Sequence, residues 1–278
     1  MTTSRPPSRP TQVSTDSNAV PQEPNRFIWY ELMTSDQPAA EAFYRAVVGW
    51  EMADAGQTGM RYTILSAGQR GVGGLMEIPA ELAAPGVKPY WAGYIVVADT
   101  DAAARRIAKT GGSIHREPSD IPNVGRFAVV ADPGGAKFML LTPLPREQEP
   151  PPVEPGTPGS VGWHELSAGN GQQAAFAFYS AHFGWATIDM LDMGTMGTYR
   201  IIGADGVPFG GMMDKPATAP TASWTFYVNV HGIDAALERI KANGGQVLMG
   251  PQEVPGGSWI VQALDPQCAS FALVSRTR

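Results

Sequence analysis

Apolar and polar positions along this chain follow two rhythms, and the order in which those rhythms appear recurs. Phe27 to Met33 is a short aromatic and apolar run that stops at Thr34-Ser35-Asp36, a pattern that predicts a strand leading into a helix cap. From Pro38 to Val48 the apolar residues Ala39, Ala42, Phe43, Ala46 and Val47 recur at helical spacing, and Gly49 ends the run; Pro38 is tolerated in a first turn. Three strand-like runs follow, near Trp50–Ala53, Met60–Ala67 and Gly71–Ile78, separated by glycine-rich turns. The same β-α-β-β-β order then returns. A strand over Tyr90–Val97 leads to a helix over Asp99–Lys109 stopped by Gly111-Gly112, with further runs near Ser113–Arg116, Gly125–Ala131 and Ala136–Leu141.

Landmark residues show that this whole unit is duplicated. Trp29-Tyr30-Glu31-Leu32, Phe43-Tyr44 and Gly49-Trp50 come back as Trp163-His164-Glu165-Leu166, Phe178-Tyr179 and Gly184-Trp185. Gly111-Gly112 matches Gly244-Gly245, and Asp132-Pro133 matches Asp265-Pro266. A period this long is that of a domain and not of a solenoid repeat. The expected fold class is α+β: two tandem domains, each of two βαβββ modules forming a curved mixed sheet, a cup with its helices on the outer face. The expected boundaries are a tail over residues 1–25, a first domain over 26–143, a proline-rich linker over 144–159 and a second domain over 160–278. One helix per four strands cannot cover both faces of a sheet, so the uncovered face is free to curl into a hollow, the kind of place where ligands collect.

Charge and composition narrow the functions. A formal net charge of −6 and no cluster of lysine or arginine argue against nucleic acid as a partner. No apolar run is long enough to span a bilayer, and the first two dozen residues contain no apolar signal core, so no membrane is expected and the cytoplasm is the expected location. The single cysteine, Cys268, cannot form an intrachain bridge and reads as buried filler in a reducing compartment.

Glu31 and Glu165 carry the strongest chemical signal, because both copies place a carboxylate in the middle of an apolar strand. A carboxylate walled by apolar groups has its charged form disfavoured, which is how general bases are tuned. Trp29 and Trp163 share a strand face with these glutamates. Tyr94 and Tyr227 occupy equivalent positions in the strand that opens each second module, and Asn229 stands where the first copy has Val96. Glu31 and Glu165 are thus candidate catalytic residues, and Trp29, Tyr94, Trp163, Tyr227 and Asn229 are candidate ligand-binding residues. Structural glutamates bonded to Arg61, Arg200 or Tyr94, and aromatics that are simply core, fit the same pattern. His164 shares a face with Leu166 and should point away from the hollow. The glycine-rich segments Gly71-Val72-Gly73-Gly74 and Gly210-Gly211 precede no helix that would make a phosphate cradle, and mark instead a bend or a close backbone approach.

These motifs carry a family resemblance. The order of elements, Phe-Tyr leading to Gly-Trp, the Val97-Ala98-Asp99-Thr100-Asp101-Ala102 helix start and the Asp132-Pro133-Gly134-Gly135 turn resemble the vicinal oxygen chelate superfamily of glyoxalases, extradiol dioxygenases and bleomycin-binding proteins, and in particular its tandem two-domain glyoxalase-like members. The resemblance implies a divalent metal held from three positions, which here are Trp29, Ala92 and Met139 in one copy and Trp163, Thr225 and Ala272 in the other. None of these is a good ligand for such a cation, so neither metal nor other cofactor is expected. The expected function is binding of a small organic molecule, or metal-independent proton transfer on it, by a monomer or homodimer. Two alternatives stand beside it: a metal-dependent lyase or dioxygenase with displaced ligands such as Glu31, Glu165 and His164, and one working hollow completed by a degenerate partner.

Overall fold

The computed structural model describes residues 25–56, 61–68, 70–80, 87–145 and 153–278. All of the expected tail but Asn25, and residues 146–152 of the expected linker, therefore lie outside the described residues. The first copy runs β1 (Phe27–Thr34), α1 (Gln37–Val47), β2 (Glu51–Asp54), β3 (Thr63–Ala67), β4 (Arg70–Glu77), β5 (Tyr90–Val96), α2 (Thr100–Lys109), β6 (Ser113–Ile121), β7 (Gly125–Ala131) and β8 (Lys137–Pro143). The second runs β9 (Val161–Ala168), α3 (Gln172–Phe183), β10 (Ala186–Asp192), β11 (Thr198–Ala204), β12 (Val207–Asp214), β13 (Ser223–Asn229), α4 (Ile233–Ala242), β14 (Gln246–Val254), β15 (Ser258–Leu264) and β16 (Ser270–Ser275). Asp36 and Asp99 cap α1 and α2 by accepting from the amides of Ala39 and Ala102. The strand expected over Ser113–Arg116 continues to Ile121, because register shifts after Ile114 and Arg116 let an edge strand carry Pro118 without breaking its pairing with β7.

Each copy forms one eight-stranded mixed sheet, in the orders β2-β3-β4-β1-β5-β8-β7-β6 and β10-β11-β12-β9-β13-β16-β15-β14. The central pair of each is antiparallel, with Glu31 opposite Ala92 and Glu165 opposite Thr225. The helices lie on one face of each sheet, and those faces are packed together. Leu32, Phe43, Tyr44, Val47 and Leu75 of the first copy share a core with Val228, Ile233, Ile240, Val261 and Leu273 of the second. A second core joins Ile95, Ile107, Phe138 and Leu140 to Leu166, Phe178, Tyr179, Trp185 and Met212. Each core is built half from one copy and half from the other, so the two concave faces look away from each other and neither copy owns its hydrophobic interior.

The repeated landmarks of the sequence are the clamps of this union. Tyr44 donates to Asp265 at 3.0 Å, and Tyr179 donates to Asp132 at 3.2 Å. Trp50 donates to the Gly159 carbonyl and Trp185 to the Asn25 carbonyl, both at 2.7 Å. The Phe-Tyr and Asp-Pro motifs of each copy thus bind the other copy, and each Gly-Trp tryptophan binds the segment that leads into that other copy. Cys268 departs from its expected place: it is exposed, in the Asp265-Pro266 turn with a φ of 70°, where the first copy has Gly135.

His164 packs in the shared core, its ring stacked on Phe27 with centroids 4.9 Å apart, and it also borders the second cavity that strand alternation expected it to turn away from. Its Nδ1 faces the Phe209 carbonyl at 2.8 Å, and a carbonyl can only accept, so Nδ1 carries the proton and Nε2 accepts from the Tyr30 hydroxyl at 2.6 Å. Burial, the main cause, lowers the His164 pKa to about 4 from the ordinary 6.5. Between those values the unfolded chain binds a proton that the folded chain refuses, so His164 costs the fold stability as pH falls from about 6.5 towards about 4. The loss from this one residue is expected to be about 3 kcal/mol. Urea unfolding at several pH values should show that slope, a His164→Phe variant should flatten it, and a protonated imidazole seen by NMR at pH about 6 would contradict the assignment.

Candidate functional site

The floor of each hollow is built from the same four side chains: two on the first strand of the copy, one on the strand that opens its second module, and a tyrosine at the start of β11 or just before β3. In the first hollow Glu31 accepts from Tyr62 at 3.0 Å and from Tyr94 at 3.1 Å, both on Oε2, and the Trp29 indole donates to the Tyr62 hydroxyl at 2.9 Å. In the second, Glu165 accepts from Tyr199 at 3.1 Å on Oε2 and from Tyr227 at 3.0 Å on Oε1. Trp163 donates to Tyr199 at 2.8 Å, and Gln262 donates to Tyr227 at 2.6 Å. All these donors run towards the carboxylate, which is the terminal acceptor of each chain.

The structure thus gathers Trp29, Glu31 and Tyr94 in one place and Trp163, Glu165 and Tyr227 in another. Asn229 lines the second cavity with an amide already engaged by the carbonyl and hydroxyl of Ser160, each at 3.1 Å. Arg61 and Arg200 do not reach the glutamates. Arg61 pairs with Glu41 at 2.7 Å, and Arg200 bonds Gln172, Gln173 and Thr187 on the helix side of its sheet. Tyr62 and Tyr199 hold the positions that the arginines were expected to hold. Their signal was present in the sequence, since each copy has a tyrosine two residues before an isoleucine, Ile64 or Ile201, on the face opposite the arginine of its pair.

The glycines of β4 and β12 make room for those tyrosines. A Cβ at Gly74 would stand 1.9 Å from the Tyr62 hydroxyl, and one at Gly211 would stand 2.2 Å from the Tyr199 ring. The close approach read from the glycine-rich segments is therefore that of a phenol lying across the strand on its way to the carboxylate.

Burial, the leading cause, raises the Glu31 and Glu165 pKa values, and the tyrosine hydrogen bonds work against it. The partner phenols are themselves held neutral well into the alkaline range by burial and by the neighbouring carboxylate. Such a group is a carboxyl whose charged form burial disfavours, able to accept a hydrogen bond or a proton from whatever enters.

Beyond this shared floor the hollows differ. In the first, Met33, Met76, Ala92, Tyr94, Phe127, Met139 and Leu141 form a buried apolar cluster, and Tyr90 donates to the Met33 sulfur at 3.1 Å across the central strand pair. In the second, the register puts Ser167 where Met33 stands, Ser223 where Tyr90 stands, Thr225 for Ala92, Gln262 for Val129 and Ala272 for Met139. The shorter side chains leave a cavity of about 1260 Å³. Glu165, Trp163, Tyr199, Tyr227 and Gln262 line it, and its lining runs out to Arg26, Arg70, Glu154 and Arg276.

A metal does not fit the donors present. The residues at the chelating positions inferred from sequence, Trp29, Ala92 and Met139 or Trp163, Thr225 and Ala272, face the hollows through indole, methyl, thioether or hydroxyl groups. Among the described residues no group of three or more histidine, cysteine, aspartate or glutamate side chains could hold an ion. Among those residues, too, no helix is long and apolar enough to cross a membrane.

Two packed eight-stranded βαβββ sheets, each with a concave face carrying a buried carboxylate, define a protein of the glyoxalase and dioxygenase type. The model of the Glyoxalase/Bleomycin resistance protein/Dioxygenase superfamily matches residues 26–140 and 164–268, and the chain belongs to that superfamily. It is 31% identical over 262 residues to the anthracycline biosynthesis protein DnrV of Streptomyces peucetius, covering 88% of this chain and 91% of that one. It is 45% identical over 126 residues to a Mycobacterium tuberculosis protein named as a glyoxylase, CFP32, a match that spans 45% of this chain and only 47% of that relative. Among solved structures, a Mn(II)-bound glyoxalase from Novosphingobium aromaticivorans superposes with a TM-score of 0.63 at 16% identity, covering 91% of this chain and 83% of that one. The 2,3-dioxygenase LapB from Pseudomonas sp. KL28 superposes with a TM-score of 0.61 at 13% identity, covering 90% and 91%. At such identities the likeness is one of fold.

Proposed function

We propose that the second hollow binds a small, largely apolar organic molecule, with Glu165 as the group that accepts its hydrogen bond or its proton, and that the first hollow is the structural counterpart that completes the shared core. The observation that carries this reading is the contrast between the two concave faces. The same Trp-Glu-Tyr-Tyr floor opens into a cavity of about 1260 Å³ in one copy and lies beneath a packed apolar cluster in the other. A volume of that size exceeds what most drug-sized ligands need. The name of the Streptomyces relative, an anthracycline biosynthesis protein, supports a polycyclic aromatic as the kind of molecule that enters. Recognition, or proton transfer that needs no metal, is the chemistry this donor set favours. The shared interior supports a molecule complete as one chain, and sedimentation at several concentrations reads its state as monomer or homodimer.

Native mass spectrometry of the freshly purified protein tests the reading first, by showing a retained small molecule. Glu165→Gln should then weaken binding of that molecule about tenfold, the worth of one hydrogen bond to a charged group. Losses of equal size from Glu31→Gln and Glu165→Gln are incompatible with a single working hollow.

A further inference from the structure

Resting on the second hollow as the ligand site, we propose that it is selective for a planar aromatic molecule bearing oxygen substituents along one edge, and that Ser167, Ser223 and Thr225 read those substituents. The three hydroxyls are neighbours by register. Ser223 stands opposite Ser167 and Thr225 opposite Glu165 across the central strand pair, and side chains two residues apart on a strand share a face. All three line the cavity.

Nothing among the described residues uses them. Among the described residues the Ser167 Oγ is buried with no hydrogen-bond partner, while Ser223 is exposed and Thr225 half-buried, each with a hydroxyl that no described side chain or backbone group engages. A buried hydroxyl left unpaired is a cost to the fold, and native structures rarely carry one without a purpose. The fold itself does not need polarity here, since the first copy builds the same strand pair with Met33, Tyr90 and Ala92. The polar set is therefore a property of the open hollow and not of the sheet.

Flatness follows from the walls. On one side Leu191, Met193 and Met196 line the cavity, and on the other Leu248 and Met249. Met196 is 54% exposed and Leu248 52% exposed, so this lip presents apolar surface to whatever enters. Methionine sulfur makes favourable contacts with aromatic rings and adapts its shape to them. A rigid ring system between these walls would turn one edge towards the serines and threonine and bring a hydroxyl substituent to Glu165, whose own tyrosine donors are already committed. At Glu165 the hollow consequently asks its ligand for an O–H donor, while Arg26, whose buried Nε has no partner among the described residues, also lines the cavity.

The test uses the full chain and two probes, unsubstituted anthraquinone and a dihydroxyanthraquinone with both hydroxyls on one edge, titrated by quenching of tryptophan fluorescence. The wild-type protein should bind the hydroxylated probe at least about tenfold more tightly, since sites built to hydrogen-bond a substituent reject the analogue that lacks it. In Ser167→Ala/Ser223→Ala/Thr225→Val that preference should fall to within about twofold, with circular dichroism confirming the fold. Equal affinity of the wild type for both probes, or a preference untouched by the triple substitution, would overturn the inference while leaving the second hollow as the site. Binding of neither probe would overturn the inference as well, and a retained molecule in the native mass spectrum of the same preparation then decides whether the underlying reading survives.

Discussion

Ser167→Met/Ser223→Tyr is expected to close the second hollow and to reduce its ligand affinity by about a hundredfold or more, without loss of fold. The two substitutions transplant a pair that the same sheet already accommodates. Met33 and Tyr90 face each other in the first copy, with the phenol donating to the thioether at 3.1 Å, and Ser167 and Ser223 face each other at the equivalent register. Volume-matched apolar packing is tolerated where the surroundings have room for it, and here the room is the cavity. A hundredfold loss corresponds to about 2.7 kcal/mol, within the range expected when a ligand is deprived of much of its buried surface. Isothermal titration with the molecule identified by native mass spectrometry measures it, alongside a melting curve. Unchanged affinity in a folded double variant would move the ligand out of the second hollow altogether.

Trp185→Ala is expected to destabilise the whole molecule by about 3–5 kcal/mol, as deletion of a large buried aromatic does. The side chain is 1% exposed. Its ring stacks on Tyr179 with centroids 5.1 Å apart at 4° and meets Trp224 edge-on at 5.8 Å. Its indole N–H donates to the carbonyl of Asn25, the residue that leads into the other copy, at 2.7 Å. The substitution removes packing from the second domain and a clamp from the interface in one step. Because both cores are shared between copies, urea unfolding should remain a single transition shifted to lower denaturant. Two separated transitions, with only the second domain weakened, would show that each copy is stable by itself and contradict the shared interior.

The tandem architecture was legible because patterning, caps and turn residues agree at every level in both copies. Strand alternation alone set Glu31, Trp29, Glu165 and Trp163 on one face and put His164 among the core aromatics, although His164 still borders the second cavity. The partners of the glutamates were not legible to the same degree. Tyr62 and Arg61 are adjacent in sequence and project to opposite faces, so only the phase of a short strand decides which of them meets Glu31, and glycines at 74 and 211 had to be read as clearance for a ring. Cys268 went astray for a similar reason: an apolar strand follows it, but the turn holding it faces solvent.

What the sequence determined by itself is local and periodic: four βαβββ modules, the face on which each side chain stands, and one carboxylate per concave surface, all of which follow from the two-residue period of strands and the caps of helices. The tertiary structure alone decided what those pieces meet. Contacts between residues 47 to 221 positions apart make Tyr44, Trp50, Tyr179 and Trp185 clamps that tie the copies together. Side chains from five strands gather into a buried apolar cluster on one concave face, and a cavity of about 1260 Å³ opens on the other. No periodicity encodes either result, because both depend on distances between strands that the chain brings together only on folding.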